Sequence, residues 1–262
     1  MSDFVTTDGV RLALAVSGTG RPMVFQHGLC GDAGQTAQVF PDGFTRLTLE
    51  CRGHGGSDTG PLDLLSIATF TDDLAGMITA QGLVRPVVGG ISMGAAMALR
   101  LAVTRPDLVG GLVLARPAWM TDKAPANMAP NGVVGQMLAQ GLTQAGFDAT
   151  PLAHQLAVEA PDNLASLRGF FDRKPLDVTA ALLTRIAADG PGVMPADLAA
   201  LRLPCLVIGC GRDFVHPLAL AQNLASLIPG ASFVEIPSKA DDPAAYRAGF
   251  TAALAQFLKG LA

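Results

Sequence analysis

Short runs of apolar, often β-branched residues alternate along the chain with longer stretches whose apolar positions recur at helical spacing. The short runs predict buried strands, and the longer stretches predict amphipathic helices. Strands are predicted at residues 22–26, 46–50, 87–91, 111–115, 206–209 and 233–236. Helices are predicted at residues 67–81, 93–103, 217–227 and 243–258. This alternation favours an α/β fold with a mostly parallel sheet and helices on both faces.

Two segments depart from the alternation. Residues 3–17 predict an opening β-hairpin with Asp8-Gly9 as its turn. Between residues 118 and 197 the strand signal disappears, and prolines punctuate helical segments at 133–141, 152–159 and 176–188. A helical layer inserted there lies over the carboxyl ends of the strands, where open α/β sheets bind ligands. We therefore predict a core of residues 1–117 and 198–262 and a helical cap insertion of residues 118–197.

Composition narrows the class of ligand. The 262 residues are 50% hydrophobic and carry a net charge of −4, from 18 basic and 22 acidic residues. Scattered charges of this kind give no footprint for nucleic acid or an anionic membrane, so we expect a small-molecule substrate. The longest apolar stretch, residues 86–99, is too short to span a bilayer. The first residues show neither a basic region nor an apolar signal core, and we expect a cytoplasmic protein.

The four cysteines lack the spacing of a zinc site, and no metal or organic cofactor is expected. Buried free thiols are the expected state of Cys30, Cys51, Cys205 and Cys210. Cys205 and Cys210 are five residues apart in one predicted strand, so they point to opposite faces and do not pair within it. Cys30 follows a loop near the predicted site, which leaves thiol reactivity open there.

The most informative motif is GISMG at residues 90–94, between a predicted strand and a predicted helix. A serine at a sharp strand-to-helix turn adopts strained backbone angles, so its neighbours must be small. Gly90 and Gly94 meet that need. Ser92 would then stand at the positive end of a helix, where negative charge developing on a substrate is stabilised.

Three further motifs follow predicted strands: HGL at residues 27–29, ECRGHGGSD at residues 50–58 and CGRDFVHP at residues 210–217. With the serine turn, and in this order, they show that the chain resembles the α/β-hydrolase superfamily with a helical cap. The resemblance extends from Asp3 to Leu258. It implies the α/β-hydrolase fold and a serine nucleophile.

By position, the resemblance assigns roles to four residues. Ser92 would be the catalytic nucleophile and Asp213 the catalytic acid. The backbone N–H groups of Leu29 and Met93 would form the oxyanion hole.

The catalytic histidine departs from the family pattern. That family places it in a loop after the final strand, but residues 238–243 read SKADDP. We predict His216 as the base, because it follows Asp213 by three residues in one turn and preserves the order Ser, Asp, His. The alternative for His216 is a residue that only lines the pocket or caps the next helix. His54 and Lys239 remain as alternative bases, the lysine only if its pKa is strongly lowered.

Loop positions also predict a substrate-binding wall, comprising His27, Cys30, Arg116, Trp119 and Phe214. Two roles are open for Arg116, which either receives a substrate carboxylate or pairs with a neighbouring acid; we favour the ion pair.

The predicted function is a serine hydrolase that acts on a small ester, lactone or related carbonyl substrate through an acyl-enzyme. One alternative is a ligand-binding protein that kept the scaffold and lost its proton acceptor. Another is acyl transfer, C–C hydrolysis or lyase chemistry on the same scaffold.

Overall fold

A mostly parallel sheet of eight strands forms the centre of the computed structural model, which describes residues 2–261. In chain order the strands are β1 (Ser2–Val5), β2 (Arg11–Gly18), β3 (Arg21–Gln26), β4 (Phe44–Leu49), β5 (Val87–Ile91), β6 (Gly111–Ala115), β7 (Cys205–Cys210) and β8 (Ser232–Ile236). Their order across the sheet is β1-β2-β4-β3-β5-β6-β7-β8. The pairs β1–β2 and β2–β4 are antiparallel, and the other neighbours are parallel. The predicted α/β class is confirmed.

The α-helices of the described residues connect the strands or cover the sheet. They are α1 (Ala33–Ala37), α2 (Ile67–Ala80), α3 (Met93–Thr104), α4 (Ala129–Ala139), α5 (Gln144–Asp148), α6 (Pro151–Glu159), α7 (Pro161–Gly169), α8 (Leu176–Ala187), α9 (Pro195–Ala200), α10 (Leu218–Leu227) and α11 (Pro243–Gly260). No helix within residues 2–261 is long and apolar enough to cross a membrane.

The predicted opening hairpin is present as β1 and β2. Val5 pairs with Arg11 at its closed end, and Gly9 in the turn has φ of 85°, which a glycine adopts without strain. The Thr6 N–H donates to the carbonyl of Val10 at 3.0 Å and closes the turn.

Two apolar layers pack on the sheet, one on each face. Helices α2, α3 and α10 contribute the larger layer, and α11 contributes the other. Tyr246, Phe250 and Leu254 of α11 are buried against the strands, with the Phe250 ring 6.2 Å from that of Phe25. Cys205 belongs to the first layer and Cys210 to the second, so the prediction of opposite faces is confirmed. All four cysteines are free thiols.

Between β6 and β7 the described residues form helices and turns, without a strand. Helices α4, α6 and α8 correspond to the three predicted segments, whereas α5, α7 and α9 were not predicted. A third apolar cluster, which includes Val134, Phe147 and Leu183, joins helices α4 to α8 to one another, whereas Leu198 of α9 packs in the larger layer on the sheet. The division into a core and a cap at residues 118 and 197 stays a prediction, and its outermost positions, 1 and 262, lie outside the described residues.

Candidate active site

Ser92 occupies the sharp turn between β5 and α3. Its backbone has φ of 56° and ψ of −111°, a strained conformation for a residue with a side chain. A Cβ on Gly90 would lie 2.5 Å from the carbonyl carbon of Gly94, and a Cβ on Gly94 would lie 2.5 Å from the carbonyl oxygen of Gln26. The Ser92 N–H donates to the carbonyl of Ala115 at 3.0 Å, which ties the turn to β6. The two glycines are therefore required for the close approach of α3 to the strands, which holds Ser92 at the carboxyl end of β5.

Asp213 and His216 lie together in the turn after β7. Nδ1 of His216 is 2.9 Å from Oδ1 and 3.0 Å from Oδ2 of Asp213, and the His216 backbone N–H donates to the same Oδ1 at 3.0 Å. The side chain of His216 is 11% exposed, and that of Asp213 is 4% exposed. A carboxylate that accepts from Nδ1 fixes the tautomer in which Nε2 carries a lone pair.

Arg116, at the end of β6, also contacts the Asp213 carboxylate. Its Nε donates to Oδ2 of Asp213 at 2.8 Å, and its Nη1 donates to the Tyr246 hydroxyl at 3.4 Å. Of the two roles open from the sequence, the structure shows the ion pair. The side chain is 9% exposed and so is held within the protein.

These neighbours set the charge states of the pair. Burial would raise the pKa of the Asp213 carboxyl, but the charges of His216 and Arg116 outweigh it and hold that pKa well below its usual range. Burial lowers the pKa of the His216 imidazole from 6.5, against the opposing effect of Asp213. At neutral pH the pair is thus a carboxylate beside a neutral imidazole, the state that a general base requires.

The predicted oxyanion donors lie at two places, Leu29 in the loop after β3 and Met93 at the start of α3. The Gly28 N–H donates to Oε1 of Gln35 at 2.7 Å, and the Cys30 N–H donates to Nε2 of His54 at 3.0 Å. The N–H groups of Leu29 and Met93 find no acceptor among residues 2–261. The loop after β3 thus leaves the Leu29 N–H free to donate to a ligand, and the start of α3 leaves that of Met93 free.

His27 and His54 lie beneath this loop, and both are fully buried. Their rings are 4.8 Å apart. Nδ1 of His27 contacts the Gly28 carbonyl at 2.8 Å and its Nε2 accepts from Cys51 at 3.0 Å, while Nδ1 of His54 contacts the Arg52 carbonyl at 2.9 Å. Burial lowers the pKa of both imidazoles. Both ring nitrogens of each are used by the backbone, so neither histidine is placed to touch a substrate or to serve as the base.

Ser92 and His216 line one cavity of about 110 Å³. Leu29, Gln35, Arg116 and Lys239 contribute to it from the core. The segment between β6 and β7 contributes Met128, Asn131, Asp162, Asn163, Ser166, Leu167 and Phe170. The sequence did not predict these residues of the segment between β6 and β7, because helical periodicity does not show which residues of a helix face the cavity.

Several predicted wall residues lie away from this cavity. The Trp119 indole N–H donates to the Asp189 carbonyl at 2.9 Å, which turns the ring into the core. Phe214 packs against the apolar cluster between β6 and β7. Cys30 lines a neighbouring groove of about 560 Å³ that shares Leu29 with the cavity, and burial raises the pKa of its thiol to about 12. The thiol is therefore protonated and weakly nucleophilic at neutral pH.

Lys239, the alternative base, contacts a carboxylate. Its Nζ lies 2.7 Å from Oδ1 of Asp162 on α7, and that carboxylate is also 3.8 Å from Arg116. The contact is an ion pair between the loop after β8 and α7. Within residues 2–261, no three His, Cys, Asp or Glu side chains form a group that could hold a metal ion.

The chain is similar in sequence to proteins named as a putative carbamate hydrolase and a putative bromoperoxidase. The chain is 31% identical over 192 residues to a Klebsiella pneumoniae protein named "Putative carbamate hydrolase RutD", covering 70% of this chain and 69% of the relative. It is 29% identical over 246 residues to "Putative non-heme bromoperoxidase BpoC" of Mycobacterium tuberculosis, covering 87% and 89%.

Solved structures share the fold over almost the whole chain. A thermophilic esterase from Thermogutta terrifontis superposes with a TM-score of 0.76 at 25% identity, covering 100% of this chain and 99% of the esterase. The enol-lactonase from Burkholderia xenovorans LB400 superposes with a TM-score of 0.71 at 23% identity, covering 98% and 100%. At that identity the second match shows the fold alone.

The family assignment rests on the sequence pattern that defines the "Alpha/beta hydrolase family", which matches residues 23–249. The proteins that this chain resembles support hydrolysis as the class of reaction. The chain belongs to the alpha/beta hydrolase family.

Proposed function

We propose that the protein is a serine hydrolase that acts on a small ester, lactone or related carbonyl compound through an acyl-enzyme. The observation that carries this proposal is the hydrogen bond of 2.9 Å between Asp213 and His216. His216 lines the same cavity as Ser92. A serine hydroxyl is a poor nucleophile by itself and needs an adjacent base, and the base needs a partner that fixes its tautomer.

In the proposed acylation step, Nε2 of His216 takes the Ser92 proton as Oγ bonds to the substrate carbonyl carbon. The carbonyl oxygen becomes an oxyanion and accepts from the N–H groups of Leu29 and Met93. The intermediate collapses when the bond to the leaving oxygen breaks and His216 returns the proton to that oxygen. The products are an acyl ester on Ser92 and the free alcohol, or a tethered alcohol from a lactone.

In the proposed deacylation step, water replaces the alcohol. His216 takes one proton from the water, whose oxygen bonds to the acyl carbon, and then returns the proton to Ser92 Oγ as the ester bond breaks. Asp213 stays ionised throughout, since the charge of Arg116 opposes its protonation. The imidazolium that forms in each step is stabilised by that carboxylate.

The size and chemistry of the cavity support a small substrate. It measures about 110 Å³, and its wall combines the apolar Leu29, Leu167 and Phe170 with nine polar or charged side chains. Two of the similar proteins are named as a putative carbamate hydrolase and an esterase, and carbamates and esters both contain a carbonyl group. We propose that residues 118–197 act as the cap that closes this cavity.

The test is turnover of p-nitrophenyl acetate and of a panel of small lactones by the wild-type protein and by Ser92→Ala. We expect release of nitrophenolate by the wild type, an acetyl adduct on the Ser92 peptide by mass spectrometry, and the loss of both in the variant. Equal turnover by the two proteins would rule out the serine mechanism. Binding of the ester by the wild type without an adduct would favour the alternative of a ligand-binding protein.

A further inference from the structure

Asn163 connects α7 to the turn that holds the acid and the base. The residue lies in the first turn of α7 and is 4% exposed. Its Oδ1 accepts from the backbone N–H of Phe214 at 2.6 Å and of Val215 at 3.1 Å. Its Nδ2 donates to Oδ1 of Asp213 at 3.0 Å. One amide therefore makes three hydrogen bonds to three consecutive residues.

These contacts fix the Asp213 carboxylate from a second side. Arg116 donates to Oδ2 from the end of β6, whereas Asn163 donates to Oδ1 from α7. Without the Asn163 amide, Oδ1 loses one donor, and the buried N–H of Val215 and the partly buried N–H of Phe214 lose their acceptor. A buried polar group left without a partner costs about 1–3 kcal/mol, so the turn would rearrange to satisfy it.

The preceding residue adds a second connection between α7 and the core. Asp162 contacts Lys239 at 2.7 Å and Arg116 at 3.8 Å. The first turn of α7 thus contacts the core at the end of β6, after β7 and after β8. These contacts are polar and directional, and they fix the position of α7 more closely than apolar packing alone does.

We propose that Asn163 is a positioning residue for the Asp213–His216 pair, so that docking of α7 on the core completes the catalytic site as well as covering it. The inference rests on the proposed function for its kinetic consequences. Asn163 touches the acid and its turn rather than the reacting atoms, and it acts through the orientation of the Asp213 carboxylate and hence of the His216 imidazole.

The experiment compares Asn163→Ala and Asn163→Asp with a matched variant on the same helix, Arg168→Ala. Arg168 pairs with Asp148 at 2.7 Å and makes no contact with the acid turn among the hydrogen bonds of residues 2–261. For p-nitrophenyl acetate we expect kcat to fall about 10- to 100-fold in both Asn163 variants, as for other groups that orient a reactive side chain. KM is expected to stay within about twofold, and Arg168→Ala is expected to retain wild-type kcat.

The pH profile gives a readout that a purely structural role would not move. His216 is faced by Asp213 on its own turn, Arg116 after β6, Asp162 on α7 and Lys239 after β8. In Asn163→Asp a carboxylate oxygen replaces the Nδ2 that lies 3.0 Å from Oδ1 of Asp213, and this added negative charge favours protonation of the two carboxylates and of the imidazole beside them. The acid limb of kcat in Asn163→Asp is therefore expected at higher pH than in the wild type.

A second readout does not depend on turnover. In an NMR titration, the His216 resonances are assigned by comparison with His216→Gln. We expect a higher His216 pKa in Asn163→Asp, and loss of the downfield Nδ1 proton signal in Asn163→Ala. If the wild type shows no turnover that depends on Ser92, the proposed function fails, and this titration alone judges the role of Asn163.

The inference is overturned if folded Asn163→Ala keeps wild-type kcat and the wild-type Nδ1 signal. It is also overturned if Arg168→Ala reproduces the loss of kcat, because the effect would then belong to α7 as a whole. Should thermal melting show that Asn163→Ala is unfolded, Asn163→Asp decides, and a wild-type pH profile and His216 titration in that variant would overturn the inference.

Discussion

Nδ1 of His216 lies 2.9 Å from Oδ1 of Asp213, three residues earlier in the same turn. The α/β hydrolases that the chain resembles take their acid and base from two loops, after different strands. Here a single turn after β7 holds both the proposed acid and the proposed base, and the loop after β8 instead contributes Lys239, in an ion pair with Asp162. The proposed base is therefore separated from the proposed acid by only three positions in the chain.

The first prediction concerns the identity of the base. His216→Ala is expected to lower kcat/KM for p-nitrophenyl acetate about 100- to 10,000-fold, the range that a general base contributes. His154 is exposed on α6, and His154→Ala is expected to match the wild type. Parallel assays of Lys239→Met test the competing base. A large loss in that variant, with His216→Ala still active, would move the role to the lysine.

The second prediction concerns Arg116. Arg116→Met leaves the Asp213 carboxylate buried beside His216 without its guanidinium, and breaking a buried ion pair costs about 3–5 kcal/mol of unfolding free energy. Because the charge of Arg116 lowers the pKa of His216, its removal is expected to move the acid limb of kcat/KM to higher pH. Urea unfolding and a pH–rate profile measure the two effects.

The control for Arg116 is Arg105→Met, which removes an exposed ion pair with Asp107. This variant is expected to change stability little and to leave the pH profile in place. A similar shift of the acid limb in both variants would show that Arg116 has no specific effect on the imidazole.

The third prediction concerns stability and pH. Burial lowers the pKa of His27, His54 and His216 below 6.5, so the folded protein holds these imidazoles neutral where the unfolded chain protonates them. Their contribution is present above pH 6.5 and is lost as the pH falls through the folded values. Each such group changes the free energy of unfolding by up to about 1.4 kcal/mol per pH unit in that window.

Urea unfolding at about pH 7.5 and about pH 5.5 tests this dependence, since the interval spans the ordinary histidine pKa. The protein is expected to be less stable at the lower pH. His154→Gln, which changes an exposed histidine, is expected to show the same difference as the wild type. Equal stability at the two pH values would contradict the buried neutral state.

The fourth prediction concerns the turn at Ser92. Gly94→Ala would place a Cβ 2.5 Å from the Gln26 carbonyl oxygen, a contact with backbone that cannot rotate away. We expect a loss of about 1–3 kcal/mol in unfolding free energy, as for other overpacked sites, together with lower activity. A Cβ on Gly169 meets nothing within 4 Å, so Gly169→Ala is the matched control and is expected to keep both. Equal effects of the two substitutions would contradict the close approach.

The sequence predicted the strands and the long helices well, because apolar periodicity and the glycines around Ser92 are local signals. Asp213 and His216 could also be identified from the sequence, because both lie in one motif after a predicted strand. The two roles of Arg116 were not separable from sequence, because its partner lies 97 residues away. Asn163 and Asp162 were missed for the same reason: nothing near them in the chain shows which strand ends they contact. Its loop position predicted Trp119 in the substrate-binding wall, and only the structure shows that its indole N–H donates a hydrogen bond to the Asp189 carbonyl.

The central claim is that His216 activates Ser92, and the second-order rate constant for labelling by a fluorophosphonate probe tests it most directly. We expect rapid labelling of Ser92 in the wild type, none in Ser92→Ala, and labelling about 100- to 10,000-fold slower in His216→Ala, with His154→Ala unchanged. Equally fast labelling of wild type and His216→Ala, or wild-type protein that the probe leaves unlabelled, would contradict the account.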